Sequence, residues 1–136
     1  MVGERNLEAL LKTLSPKLVD GIHVCVTLPD NAIPAGLVPR MLFREAEGIT
    51  LILLKSDAES AGLDHAFPCR MITLQVHSSL DAVGFMARIA SELASRGIGV
   101  NPVAGFYHDH LCVPDGREDE VREALQQVAA AAADAG

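Results

Sequence analysis

Two stretches of this sequence hold residue types whose spacing could do chemistry. The first is His77-Ser78-Ser79-Leu80-Asp81-Ala82-Val83-Gly84. Ser78 and Asp81 have the spacing of a capping box ahead of an amphipathic run, so a long helix is expected over about 79–96. The start of a helix presents unpaired N–H groups and the positive end of the helix dipole, which suits a carboxylate. Gly84, expected in the first turn, has no Cβ to keep a ligand or another backbone away. Asp81 could meet an ammonium or guanidinium group. Carboxylate and amine recognition in one loop is what an α-amino acid requires. The plainer alternative uses the same residues: Ser78 and Asp81 only cap, and Gly84 only packs.

The second stretch is Tyr107-His108-Asp109-His110. His-x-His on an extended strand puts both imidazoles on one face. With His77 at the end of a neighbouring strand, a three-histidine zinc or copper site is conceivable. The spacing matches no recognised zinc pattern, so a polar hairpin is the expectation, with no metal and no cofactor. Cys25, Cys69 and Cys112 are scattered, with no CxxC, in or beside apolar stretches, and are expected to be buried reduced thiols. Cys112 shares a strand face with His110 but has no third group to orient the pair. GxSxG, HExxH, P-loop and GxGxxG patterns are all missing. The chain is therefore read as having no catalytic residues and as not an enzyme.

The elements that must position these residues follow from periodicity. Leu7, Leu10, Leu11 and Leu14 mark a helix over about 4–14, ended by Ser15-Pro16. Residues 22–28 alternate as a half-buried strand. Residues 29–39 are an ordered loop punctuated by Pro29, Pro34, Gly36 and Pro39. Strands over about 40–46 and 49–54 flank a turn at Glu47-Gly48. Ser56 and Glu59 have capping-box spacing for a short helix closed by Gly62, and residues 63–68, with Pro68, form the internal boundary. A strand follows over 70–77, then the long helix with Gly97 at its C-terminus. Residues 98–106 form an edge or bulged strand containing Pro102, 110–113 a returning strand, and 116–133 a last helix capped by Asp115 and Glu118. The second half thus reads βαββα, one strand short of the ferredoxin-like βαββαβ unit. The first half has a similar order, so a degenerate duplication is expected, in which each half completes or covers the other's sheet.

Composition limits the function. The 136 residues are 49% hydrophobic, enough for a core without disulfide staples. No apolar run reaches the ~18 residues of a membrane span. The formal net charge of −7 disfavours nucleic acid and anionic membranes, and the absence of Trp, with one Tyr and four Phe, leaves no platform for stacking bases. The N-terminus lacks the pattern of a secretory signal, so a cytoplasmic location is expected.

The segment ITLQVHSSLDAVGFMARIASELASRGIGVNPVAGFYHDHLCV resembles an ACT domain, a small ligand-sensing βαββαβ module. Val83-Gly84-Phe85 stands where many ACT domains have Pro-Gly-Leu, and Gly97-Ile98-Gly99-Val100-Asn101 matches the start of their second strand. The Val in place of Pro, and the wording SSLDAVGF, are similar to the aspartokinase-type branch. The run from LFREAEGITL to VAGFYHDHLCVP looks closer still to small stand-alone bacterial proteins with two ACT-like halves. The resemblance implies an α+β, ferredoxin-like tandem fold with an N-terminal ACT-like half at 1–66 and a C-terminal ACT domain at 67–136. It implies a regulatory module that binds a small molecule, most naturally an amino acid, and forms a homodimer. The implied ligand-binding residues are His77, Ser78, Ser79, Asp81, Ala82, Val83, Gly84, Phe85 and Asn101. A ligand-free interaction or oligomerisation module is the alternative.

Overall fold

The computed structural model describes residues 6–76 and 82–135. The elements run α1 (Leu7–Lys12), β1 (Pro16–Leu18), β2 (His23–Leu28), β3 (Met41–Arg44), β4 (Ile49–Leu54), α2 (Lys55–Ser60), β5 (Ala66–Leu74), α3 (Phe85–Ser95), β6 (Asn101–Ala104), β7 (Asp109–Pro114) and α4 (Glu118–Ala135). They fall into two compact units. The inserted unit is Asp20–Cys69; the split unit is the described chain up to Val19 together with that from Arg70 onward.

In the inserted unit the strands lie in the order β3-β4-β2-β5, all pairs antiparallel. Numbered along the chain, that is the ferredoxin-like order 4-1-3-2 read from the other edge. The first helix of the usual motif is replaced by the loop 29–40, and α2 is the second. The β3–β4 turn closes through mutual backbone bonds between Glu45 and Gly48. A Cβ on Gly48 (φ +153°) would lie 2.6 Å from the Leu28 carbonyl oxygen, so the hairpin reverses where only glycine fits. Val24, Val26, Ile49, Leu51 and Leu53 form the core, and α2 contributes Ala58 alone.

In the split unit the order is β1-β5-β7-β6, again 4-1-3-2 once β5 is taken as the first strand. The strand missing from the end of the βαββα run is supplied from the other end of the chain. β1 pairs antiparallel with β5, Pro16 opposite Leu74 and Leu18 opposite Ile72. Helices α1, α3 and α4 pack together over this sheet. They bury Leu10, Leu11, Phe85, Ile89, Leu93, Val121, Leu125 and Val128 against Ile72, Leu74, Leu111 and Val113. The expected halves, 1–66 and 67–136, differ from these units in the place of α1 and β1, which join the C-terminal elements.

Several boundaries depart from the periodicity reading. Pro68 lies within β5 rather than between strands. It sits beside Phe67, whose φ of +56° marks a bulge, and the register with β2 shifts between His23↔Cys69 and Cys25↔Ala66. A residue without an N–H is tolerated where the ladder is already interrupted. Helix α2 begins at Lys55 with Leu54 as N-cap, so Ser56 lies inside the first turn and caps nothing. Cys69 and Cys112 are buried thiols and Cys25 a half-buried one. Among the described residues, no helix is long and apolar enough to cross a membrane.

Candidate functional site

Of the nine expected ligand-binding residues, His77, Ser78, Ser79 and Asp81 lie outside the described residues. The other five are placed. Helix α3 begins at Phe85, with Gly84 as its N-cap at φ +89°. The capping box expected from Ser78 and Asp81 is therefore not the start of the described helix, which opens on a glycine with no side-chain cap. Glycine is required at 84 by the left-handed backbone: among the described residues a Cβ there would meet only Leu7 Cδ2, at an ordinary 3.6 Å. The first-turn N–H groups of α3 thus take no capping side chain from the described residues, the arrangement a carboxylate can complete.

The residues around Gly84 divide by environment. Val83 is 84% exposed, whereas Phe85 is 3% exposed and packs in the split unit's core. Ala82 is partly buried against the same core. Phe85 therefore anchors the helix and has no surface left to offer a ligand. Asn101 is exposed at the start of β6, opposite Cys112. Three contacts set β5 antiparallel to β7. Arg70 reaches Glu118 at 3.3 Å, Thr73 Oγ1 lies 2.9 Å from His110 Nδ1, and the Val76 carbonyl lies 3.5 Å from His108 Nδ1. The end of β5, which leads toward Gly84, therefore sits by the start of β7, while Asn101 pairs near the end of β7. Eleven residues of α3, about 16 Å of helix, carry the chain between the two. The structure does not bring Asn101 beside Gly84.

The histidine hairpin is ordered by its own sheet. The His108 and His110 rings meet edge-on at 6.5 Å between centroids; His110 contacts Thr73 of β5, and His108 contacts Val76 just beyond that strand. The Gly105 N–H bonds the His108 carbonyl, closing the turn. Among the described residues no three His, Cys, Asp or Glu side chains are grouped to hold a metal ion. His77, the third member of the conceivable site, lies outside them.

Two concavities in the inserted unit went unforeseen. One, of about 270 Å³, is lined by His23, Val38, Pro39, Arg40 and Leu54. The other, of about 290 Å³, is lined by residues 34–38 with Asp57, Ser60 and Ala61, and shares Val38 with the first. Both arise where the loop 29–40 takes the place of a helix. Their walls come from separated segments, so no local motif marks them. The only available signal was a proline-punctuated loop in a helix position, ending in a lone arginine.

The chain matches the ACT domain family twice, over residues 2–70 and over residues 66–127. Among solved structures, a protein of unknown function from Vibrio cholerae, described as a possible transport protein, is 41% identical. It superposes with a TM-score of 0.81 over 90% of this chain and 95% of that one. A protein from Agrobacterium tumefaciens is 21% identical, with a TM-score of 0.69 over 85% and 89% of the two chains. The regulatory subunit of aspartate kinase from Thermus flavus is 13% identical, with a TM-score of 0.63 over 84% and 96%. The last two likenesses are of fold. No curated protein matches the chain.

Proposed function

The chain belongs to the ACT domain family, and from that premise we propose that it is a non-catalytic regulatory module that binds a small metabolite, an α-amino acid, at the loop leading into α3. The observation that supports the reading is the pair of family matches, which together run from residue 2 to residue 127. The start of α3, which takes no capping side chain from the described residues, offers the carboxylate its N–H groups, and Asp81 offers the ammonium a charge. Ala82, Val83 and the Gly84 backbone complete the loop, with His77, Ser78 and Ser79 as its polar members. The ligand acts by binding one arrangement of subunits more tightly than another, since only differential affinity shifts a population. The assembly is a homodimer, with a mass in light scattering of twice the 14.4 kDa chain.

A panel of the twenty amino acids read by thermal unfolding tests this. Saturation at 100 times the dissociation constant adds about 2.7 kcal/mol, a melting shift on the order of 10 °C for a domain near this size. Gly84→Leu removes the shift and Asp81→Asn weakens it, in variants that still unfold cooperatively. A shift unchanged in Gly84→Leu places the ligand elsewhere. A panel with no shift at all favours the second reading, an interaction module. The observation behind that reading is strand β3, at the edge of its sheet, which exposes Leu42 and Phe43.

A further inference from the structure

We propose that the 270 Å³ concavity of the inserted unit is a second, separate binding site, for a small carboxylate with a short apolar tail. It is a constructed cavity rather than a gap under a loose loop. His23 and Leu54 form one wall as direct partners across the β2–β4 ladder. Leu54 is held in turn by Gly21, where a Cβ would come within 2.6 Å of Leu54 Cδ2. Another part of the wall, Val38-Pro39-Arg40, is pinned where the Arg40 N–H donates at 2.7 Å to the carbonyl of Ile52, the residue opposite Met41 in the β3–β4 ladder.

The lining dictates the ligand. Val38, Pro39 and Leu54 are apolar and suit a short hydrocarbon chain. His23, 1% exposed, is the buried polar side chain of the lining. Among the described residues, Arg40 is the only formally charged one in the lining, and no carboxylate shares the cavity with it. Among the described residues its guanidinium makes no ion pair, whereas Arg44 reaches Asp30 at 3.5 Å. A guanidinium with its donors uncommitted, in the lining of a concavity of mixed polar and apolar character, selects an anion with planar oxygens. The volume lies at the small end for ligand pockets, which limits the tail to a few carbons. On a chain of net charge −7, only such a local cation draws an anion to this face.

Calorimetric titration of the full chain with sodium butyrate, against sodium chloride at equal ionic strength, tests the site. Acetate, n-butylamine and n-butanol serve as comparison probes. Butyrate binds, acetate binds more weakly, and n-butylamine and n-butanol do not bind. Arg40→Ala lowers butyrate affinity at least about tenfold, the loss expected for charged hydrogen bonds. Val38→Trp, at a lining position 81% exposed and outside the core, adds bulk beside the cavity and also weakens binding. Arg44→Ala leaves binding intact. Gly84→Leu leaves it intact too, which separates this site from the amino-acid loop, so either can fail alone. Absence of butyrate binding overturns the proposal. So does binding unchanged in Arg40→Ala, or n-butylamine binding as tightly as butyrate.

Discussion

The inserted and split units reach one strand order by different routes, and they differ most in what covers the sheet. In the split unit three helices bury long aliphatic and aromatic side chains. In the inserted unit α2 buries a single alanine, and a loop stands where the first helix would be. Full burial of one leucine-sized side chain stabilises by about 1.5–3 kcal/mol. The split unit therefore holds most of the packing energy, while the unit with less cover holds the concavities. Removing a helix from this fold costs core and yields cavity surface.

The largest expected effect tests which unit the N-terminal segment serves. Deleting residues 1–19 removes Leu10, Leu11 and Leu14 from the core and uncovers the hydrogen-bonding edge of β5 beside β1. The expected outcome is loss of cooperative unfolding, with aggregation seen by size-exclusion chromatography. A soluble 20–136 chain melting in one sharp transition would break the comparison.

Core substitutions sharpen it. Leu93→Ala in α3 should cost about 3 kcal/mol in urea unfolding. Ala58→Gly in α2, at an equally buried site, should cost only about 1 kcal/mol, the helix-propensity difference. Equal losses would mean that α2 matters more than its single buried alanine implies.

Two glycines of the inserted unit give the next step down. Gly48→Ala drives a Cβ into the Leu28 carbonyl and should cost about 2 kcal/mol, enough to distort the hairpin. Gly62 has φ +68° with open space around it, so Gly62→Ala carries only the left-handed backbone cost of about 1 kcal/mol. The reverse ranking in denaturation midpoints would be evidence against the close approach at Gly48.

The smallest effect concerns ion pairs. Arg70–Glu118 in the split unit has side chains 19% and 18% exposed, while Arg44–Asp30 in the inserted unit is 65% and 70% exposed. Double-mutant cycles should give about 1 kcal/mol of coupling for the first pair and close to zero for the second, because solvent screens the exposed charges. Raised salt should weaken the part-buried first pair only slightly.

Much of this architecture was legible locally. The β3–β4 hairpin, the alternation of β2, the edge position of the Pro102 strand and the glycines that end α2 and α3 all follow from short-range signals. Gly97 sits at φ +70°, and the Ile98 N–H reaches back to the Leu93 carbonyl, as a C-terminal glycine requires. What was not legible depends on residues far apart. β1 is only three residues, too short to alternate, and becomes a strand because β5 offers it an edge. The capping-box reading at Ser56 failed through local competition. At Ser56 the Lys55 N–H already donates to the Ile22 carbonyl, so the chain turns into α2 directly off the ladder. Helix α3 starts at a left-handed Gly84, and Ser78 and Asp81 lie outside the described residues. For the expected ligand site, Gly84 and Val83 are accessible, Phe85 is core, and Asn101 is at the far end of the sheet. The concavity lined by His23, Arg40 and Leu54 has no local pattern at all.

The pairing of β1 with β5 also bears on how the protein is made. Leu18 leaves the ribosome some 54 residues ahead of its partner Ile72. At synthesis rates of ~5–20 residues per second, that is a wait of roughly 3–11 s. For that interval α1 and β1 are nascent chain with an apolar face and no sheet to join. All the residues of Asp20–Cys69 emerge inside the same interval. The order of translation thus runs opposite to the order of packing energy: the lightly covered unit can assemble first, and the heavily covered one is completed only when its last helix arrives to trap the first.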